Sequence, residues 1–294
     1  MLDVKNKFSL VPFRYTSREP VILPFKPINR LLKIDQYNRT IYIRLLSSSR
    51  LSRPIMTTYI LDTETTGLIE PHMTEAAYSI VDIINGKVTV LQAPRAKRFN
   101  PLKEISLRSM AISHICGEDV IDEPPHTDFR LPNSVEYLIG HNIDFDMAVL
   151  KNAGVTHEPK LICTNAMANF LLPTLESHKL VSLLYYFHRD VARDQARHAH
   201  AAIADIHFTE LVLCSLIDLA NSQGHVIADA ESLYEFSQMA RVPTHLSFGK
   251  HKGEAIADLA THSDGAGYLK WLLKQDTVDP YLAEACKNAL EQSA

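Results

Sequence analysis

Cysteine is scarce in this sequence, and no two cysteines are closely spaced. The 294 residues include only four, Cys116, Cys163, Cys214 and Cys286. They form no C-x-x-C pair and show no zinc-ligand spacing, which argues against a disulfide framework and against a structural zinc site. The pattern is typical of a reduced, intracellular protein, and we expect a cytoplasmic location.

Long hydrophobic runs are also missing. No stretch of about 18 apolar residues is present to span a bilayer, and the first residues lack the compact apolar core of a secretory signal. The sequence therefore predicts no membrane partner. Its hydrophobic content of 46% is ordinary for a packed globule, and 294 residues suffice for one sizeable domain and a smaller one.

Charge is unevenly distributed along the chain. Residues 1–55 contain 11 basic and three acidic side chains, whereas the remaining residues contain 19 basic and 31 acidic ones. An acidic body argues against a passive nucleic-acid coat, which would need a broad basic face. It is compatible with a site that gathers carboxylates to hold cations.

The basic N-terminal extension, residues 1–55, is rich in proline and shows no sustained periodicity. Three interpretations remain open for it. Translation could begin at Met56, so that the extension is not part of the functional protein. The extension could instead be a flexible basic arm that touches nucleic acid, or an acid-poor targeting segment. We expect no chemistry there in any of the three cases.

From Thr57 onward the pattern changes to compact α/β. Runs rich in β-forming residues at 58–61 and 76–84, with an Asn-Gly pair at 85–86, predict strands and a hairpin. Helical periodicity follows, including a long segment that ends near Gly224. A hairpin followed by alternating strands and helices predicts a mixed β-sheet flanked by helices.

The chain is predicted to have three parts. After the extension, residues 56–224 are predicted to form the main domain. Residues 225–294 are predicted to form a small C-terminal accessory module. No internal repeat or low-complexity segment interrupts this order.

Asp62 and Glu64 stand at the end of the first predicted strand of the main domain. Because side chains alternate along a strand, residues i and i+2 face the same way. Both carboxylates can therefore reach the same cation. The turn that follows, beginning at Thr65, exposes backbone N–H groups beside them.

Two aspartates occur in the stretch GHNIDFDMAVL, and they have different predicted roles. The positions three, four and seven residues after Asp146 are apolar, so Asp146 heads the buried face of a helix. A buried carboxylate needs a partner, and a divalent cation is one. Asp144 lies off this face at the helix start, where we expect it to cap N–H groups or to be solvated.

Asp205 repeats this arrangement on the long helix, because apolar residues follow it at positions 208, 212, 216 and 219. His200 lies five residues earlier, which on a regular helix would be roughly 140° away from Asp205. Both residues can therefore serve one site only if His200 lies on a loop or on an irregular first turn.

These five groups together suggest hydrolytic phosphoryl chemistry. Four carboxylates could hold two divalent cations that activate water and stabilise an in-line displacement at phosphorus. A histidine with a pKa of about 6.5 is suited to remove a proton from water at neutral pH, so His200 is the candidate general base.

The motifs resemble those of a known family. The stretches LDTETTGL, GHNIDFD and HAAIAD occur in this order and are similar to the three motifs of the DEDD superfamily of 3′-to-5′ exonucleases. The third motif has the H-x4-D form of the DEDDh branch. The similarity extends to segments that include Glu75 and His114, and to ICTNAMANFLLP. It covers roughly Met56 to the C-terminus.

The resemblance implies an RNase H-like fold and hydrolysis of DNA from 3′ ends, in single-stranded or duplex substrates, as in enzymes of DNA repair. It implies two Mg²⁺ or Mn²⁺ ions held by Asp62, Glu64, Asp146 and Asp205, with His200 as the catalytic base. It also implies that the terminal nucleotide is bound by the first-motif turn and a nearby histidine, here Thr65, Thr66, Leu68 and His114.

Two alternatives remain open at this point. The same motifs occur in exoribonucleases, and only segments outside the catalytic motifs, such as LSFGKHKGEAIADLA, favour DNA over RNA. A non-catalytic nucleic-acid binder or a polymerase-associated subunit is the alternative from another class, although the presence of all five groups argues against it. The C-terminal module, with its mixture of aromatic and basic residues, could be purely structural or could contact DNA.

Overall fold

The computed structural model describes residues 30–34, 41–45, 57–275 and 278–293. Most of the predicted N-terminal extension lies outside these ranges, and so does Met56, the possible start of translation. Within the extension the structure describes two short strands, β1 (Arg30–Ile34) and β2 (Ile41–Leu45), which pair antiparallel. The sequence did not predict these strands, because the extension shows no sustained periodicity.

The main sheet has five strands. They are β3 (Thr57–Thr65), β4 (Met73–Ile84), β5 (Lys87–Arg98), β6 (Val135–Gly140) and β7 (Lys160–Cys163). The spatial order is β5-β4-β3-β6-β7, with β3, β4 and β5 antiparallel and with β6 and β7 parallel to β3. The predicted mixed sheet is therefore confirmed, and β3 lies at its centre.

Ten α-helices occur in the described part of the chain. They are α1 (Leu107–Ser113), α2 (Ile143–Asn152), α3 (Thr164–Leu171), α4 (Leu180–Phe187), α5 (Arg189–Gln195), α6 (Ala202–Ser222), α7 (Ala230–Arg241), α8 (Ile256–Ala260), α9 (Ser263–Leu272) and α10 (Pro280–Gln292). Short 3₁₀ turns at 117–119, 126–128 and 196–198 complete the connections. None of the helices described is long and apolar enough to cross a membrane.

The hairpin between β4 and β5 forms at the predicted Asn-Gly pair. Asn85 and Gly86 have φ angles of 52° and 72°, which are the values that a tight two-residue turn requires at both central positions. Glycine is favoured at the second position for a further reason, since a Cβ there would lie 2.7 Å from the carbonyl oxygen of Ile227.

Strand β3 contributes alternate residues to two hydrophobic cores, one on each face of the sheet. Ile60 belongs to the core shared with α6, whereas Leu61 belongs to the core shared with α2. This alternation is the period of two expected for a central strand that is covered on both faces. It decides which helix each polar residue at the end of β3 will meet.

The predicted apolar faces of α2 and α6 are confirmed. Val149 and Leu150 on α2 and Phe208 and Val212 on α6 are almost fully buried. Glu210 is a charged residue on the same helix, α6. It is buried, and its carboxylate accepts a hydrogen bond of 2.7 Å from the hydroxyl of Ser79 on β4, which explains how the sheet tolerates it.

The C-terminal helices α8, α9 and α10 have a hydrophobic core of their own, which includes Leu259, Leu269 and Leu282. Helix α7 does not join this core. Its buried residues Leu233 and Phe236 pack in the core of the main sheet. We therefore propose that the C-terminal module begins near residue 242 rather than at 225.

A pair of glycines on α9 allows a test of how tightly the module is packed. A Cβ at Gly265 would lie 2.3 Å from the carbonyl oxygen of Leu259, whereas a Cβ at Gly267 would meet nothing within 4 Å. We expect Gly265→Ala to destabilise the protein by about 1–3 kcal/mol. We expect Gly267→Ala to stabilise it by up to about 1 kcal/mol, because alanine is the better helix former. Urea unfolding measures both effects, and equal effects would contradict the close approach.

Candidate active site

The end of β3 presents its polar residues to opposite faces of the sheet. The side chains of Asp62 and Glu64 lie on the same face of β3 as Ile60, towards α6. The side chain of Thr63 lies on the same face as Leu61, towards α2. The two carboxylates therefore face the helix that carries Asp205. Both are half-buried.

Asp146 lies on the first turn of α2 and is 4% exposed. Its Oδ1 accepts two hydrogen bonds from Thr63, one of 3.0 Å from the backbone N–H and one of 2.7 Å from the hydroxyl. Thr63 thus fixes this carboxylate against the strand that carries Asp62 and Glu64. Both hydrogen bonds from Thr63 go to Oδ1, so Thr63 leaves Oδ2 of Asp146 free to bind a cation.

Asp205 lies on the first turn of α6 and is 8% exposed. Its Oδ2 accepts a hydrogen bond of 3.2 Å from the backbone N–H of His200, and its Oδ1 is buried with no hydrogen-bond partner among the described residues. His200 precedes the helix, as expected, and adopts a left-handed conformation with φ of 66°. This irregular backbone brings an exposed imidazole to the side of Asp205 despite the five-residue spacing.

Three of the five predicted site residues form a close group. Glu64, His200 and Asp205 each offer one ligand atom, and these atoms lie within 4.8 Å of one another. Asp62 and Asp146 lie outside this group, but Asp62 interacts electrostatically with all three of the other carboxylates. The five residues predicted from the sequence are therefore neighbours at one end of β3.

The pKa values of the carboxyl groups report the same crowding. Burial, followed by repulsion from Asp146 and Asp205, raises the pKa of Asp62 well above its ordinary value. Burial, followed by repulsion from Asp205, raises the pKa of Glu64 to about 8. Burial raises the pKa of Asp146 to about 7, against the lowering effect of the bonds from Thr63.

Burial also raises the pKa of Asp205, to about 6, although His200 acts in the opposite direction. Glu75 adds to the repulsion, because it is the partner of Glu64 in the β3–β4 register, while its carboxylate also pairs with Arg98 at 3.3 Å. Buried carboxylates without enough positive partners are unstable in the ionised form. A cation would supply the missing charge.

These residues fit a divalent metal ion. The donors are carboxylate oxygens, the ligands preferred by hard cations such as Mg²⁺, with one imidazole beside them. The buried, unpartnered Oδ1 of Asp205 provides an oxygen that lacks any other partner in the described structure.

The turn after β3 is held by its own threonines. Thr65 and Thr66 are buried, and the hydroxyl of Thr65 donates to the carbonyl of Gly67 at 3.1 Å. The hydroxyl of Thr66 accepts from the N–H of His72, and its carbonyl accepts from the N–H of Ser106 at the start of α1. The turn is therefore held by several hydrogen bonds and is tied to α1.

The other two predicted substrate-binding residues are exposed. Leu68 is 68% exposed beyond the turn. His114 is exposed at the C-terminal end of α1, where its backbone N–H caps the helix. Neither side chain touches the carboxylates in the described structure, so both stay predictions as substrate contacts.

The Asp144 side chain is 50% exposed, in line with the expected solvation, but it also has a partner that the sequence did not predict. It makes no capping hydrogen bond to α2. Instead its carboxylate pairs with the guanidinium of Arg241 at the end of α7. The Arg241 side chain is only 3% exposed and also lies 5.3 Å from the ring centroid of Tyr281 on α10. Asp144 thus joins α2 to α7 and the C-terminal module.

Sequence reasoning missed Thr63 and Arg241. Thr63 could have been identified, since strand alternation places it opposite Asp62 and Glu64 on the face where α2 packs. The Arg241 contact gave no local signal, because 97 residues separate the partners.

The fold and the site together define a class. A mixed sheet whose central strand ends in the D-T-E motif, with Asp146 and the His200–Asp205 pair beside it, is the arrangement expected of DEDDh 3′-to-5′ exonucleases. No family model matches the chain. Comparison with curated proteins gives 31% identity over 238 residues with exodeoxyribonuclease 10 of Escherichia coli K12, covering 80% of this chain and 99% of that protein. The chain belongs to this exonuclease family, whose members depend on divalent cations.

Two further similarities were found. The PolC-type DNA polymerase III of Oceanobacillus iheyensis is 28% identical over 206 residues, which cover 66% of this chain and 12% of the polymerase. Among solved structures, exonuclease X in complex with 5′ overhanging duplex DNA is 27% identical, covers 61% of this chain and 99% of that chain, and gives a TM-score of 0.45.

The crowded carboxylates predict a stability that depends on pH and on metal. Their pKa values are raised on folding, so their contribution is fully present below pH 4 and is lost as the pH rises towards 8. We expect EDTA-treated protein to melt at a lower temperature at pH 8 than at pH 6. Adding Mg²⁺ at pH 8 should raise the melting temperature by several degrees, because the ion binds only the folded state.

Differential scanning fluorimetry measures both effects, and Asp205→Asn is the control in which the pH dependence should shrink. A melting temperature that does not change when Mg²⁺ is added at pH 8 would contradict a metal site at these carboxylates.

The Asp144–Arg241 pair predicts an unequal effect of two substitutions on the same helix. Asp144→Ala leaves a buried guanidinium unpaired and should cost about 2 kcal/mol of the free energy of unfolding. Lys151→Ala removes an exposed pair with Glu158 and should cost less than about 1 kcal/mol. Urea unfolding compares the two, and similar losses would show that the Arg241 contact contributes little.

Proposed function

We propose that the protein is a metal-dependent 3′-to-5′ exodeoxyribonuclease that releases nucleoside monophosphates from DNA 3′ ends. The observation that supports this most strongly is the meeting of three separate motifs at one end of β3. Residues up to 143 positions apart, from Asp62 to Asp205, contribute to one electrostatically connected group. The relation to exodeoxyribonuclease 10 supports DNA as the substrate.

We propose Asp62, Glu64, Asp146 and Asp205 as the residues that hold two Mg²⁺ or Mn²⁺ ions. When bound, such ions polarise the scissile phosphate, assist deprotonation of water and stabilise the leaving oxygen. The protein supplies the rigid setting. Thr63 fixes Asp146 through two hydrogen bonds, and the backbone N–H of His200 orients Asp205.

His200 is the proposed general base. Its imidazole is exposed, so water can reach it, and one of its ring nitrogens lies in the group of atoms within 4.8 Å. It would accept the proton of the attacking water, and the carboxylates beside it would favour the resulting imidazolium. The left-handed backbone at His200 sets the direction of the ring without the constraint of a helix.

The turn from Thr65 to Leu68 is the proposed binding site for the terminal nucleotide. Thr65 and Thr66 hold the turn by their own hydrogen bonds. Leu68 then offers an exposed apolar surface on which a base can pack. His114, at the end of the helix that the turn anchors, is proposed to approach the same nucleotide.

The decisive experiment measures hydrolysis of 3′- and 5′-labelled DNA and of RNA of the same sequence, with Mg²⁺ or with EDTA. We expect stepwise release of mononucleotides from the 3′ end of DNA, only with metal. Asp146→Asn should lower kcat by at least about 1,000-fold, because a metal ligand is lost, while the protein remains folded. Asp144→Asn should retain most activity.

Each alternative has its own outcome in this assay. Preferential degradation of RNA would identify an exoribonuclease. Binding without hydrolysis would identify a non-catalytic nucleic-acid binder. Activity in EDTA, or equal loss in the Asp144 and Asp146 variants, would overturn the assignment of the site. For His200→Ala we expect a large loss of kcat and a loss of the acidic limb of the pH–rate profile.

A further inference from the structure

A large cleft separates the main domain from the C-terminal module. Its volume is about 930 Å³, near the upper end for small-molecule sites. One wall comes from the start of α2, from α3 and from the segment 173–179. The other wall comes from the segment 243–253 and the start of α10. Both units of the chain are therefore needed to form it.

Three basic side chains (Lys179, Arg241 and Lys252) and three acidic ones (Asp144, Glu176 and Asp279) line the cleft, and the two lysines lie on opposite walls. Lys179 on the main domain and Lys252 on the module are exposed, and within the described residues neither has an ion-pair partner. Most of the acidic groups are already engaged. Asp144 pairs with Arg241, and Asp279 accepts two backbone N–H bonds at the start of α10. Glu176 is the remaining acidic side chain among the lining residues.

An exposed aromatic ring lies in the same loop as Lys252. Phe248 lines the cleft and is 48% exposed, although a phenylalanine in a small module would be expected to join its core. A ring beside unpaired lysines is the combination that binds single-stranded nucleic acid, through stacking of bases and attraction of phosphates.

The cleft is adjacent to the candidate active site. Asn142 and Asp144, at the start of α2, line the cleft. Asp146, in the same turn of the helix, accepts a hydrogen bond from Thr63 at the end of β3 and interacts electrostatically with Asp62. Because residues two positions apart point to nearly opposite sides of a helix, the cleft and the carboxylates lie on opposite sides of this turn. A strand whose 3′ end lies at the carboxylates would pass around the turn to enter the cleft.

We propose that this cleft binds the single-stranded DNA that lies upstream of the 3′-terminal nucleotide, with Lys179 and Lys252 at its phosphates and Phe248 stacked on a base. The proposal rests on the proposed exonuclease function. A mononucleotide would not need cations on both walls of so large a space. An apolar peptide would leave both lysines without a partner.

Two measurements on the full-length protein test the proposal. The first is the affinity for fluorescein-labelled dT20 in EDTA, measured by anisotropy at several salt concentrations. The double variant Lys179→Glu/Lys252→Glu should bind about 10-fold or more weakly, and the slope of log K against log[salt] should fall by about 1.4, since each phosphate contact on a single strand contributes about 0.7. Phe248→Ala should weaken binding by at least about fivefold.

The matched control is Lys87→Glu/Lys274→Glu, which makes the same charge change at two exposed lysines outside the cleft. This control should lose much less affinity and keep the salt slope. Equal effects of the two double variants would overturn the proposal, because they would reflect net charge alone. Circular dichroism confirms that all variants are folded.

The second measurement places 5-iodouracil at one position of dT20 at a time and maps photo-crosslinks by mass spectrometry. Crosslinks to Phe248 are expected only when the label lies upstream of the terminal nucleotide. A crosslink from the terminal nucleotide alone, or none, would overturn the proposal. The hydrolysis assay distinguishes a failure of the cleft assignment from a failure of the proposed exonuclease function. If wild-type protein degrades DNA while the cleft variants bind normally, the cleft assignment fails and the exonuclease function stands.

Discussion

Repulsion among carboxylates at the end of β3 is the constraint on which the rest of this structure depends. Asp62 and Glu64 lie in a partly buried setting with Asp205 and Asp146 close by, and their raised pKa values express the cost. A protein that must hold such groups together needs rigid supports that do not neutralise them. Thr63 and the backbone N–H of His200 serve in this way, because each binds one carboxylate oxygen and leaves the other free.

Salt bridges, by contrast, lie around the site rather than within it. Arg98 pairs with Glu75, which stands next to the group. Arg241 pairs with Asp144, which lies two positions before Asp146 on the same helical turn. The two aspartates of α2 are thereby separated in function. One is neutralised by a buried arginine and stabilises the fold, while the other remains available for a cation.

Much of the site could be predicted from local pattern, whereas long-range contacts could not. Helical periodicity identified Asp146 and Asp205 as buried, because the residues that share their faces are close in sequence. The irregular position of His200 followed from its spacing. The strand Lys160–Cys163 is too short to show a period, and α7 has an amphipathic pattern that does not say which core it joins. The pairing of Asp144 with Arg241 depends on that packing, so no local signal could reveal it.

The two-faced packing of β3 has a consequence for how this chain can vary. Ile60 and Leu61 fill different cores, yet they immediately precede the residues that meet at the site. A change of side-chain volume on either face would shift the strand and with it the spacing of the carboxylates. Substitutions in the two cores should therefore be epistatic with one another through the active site, although the cores themselves are separated by the sheet.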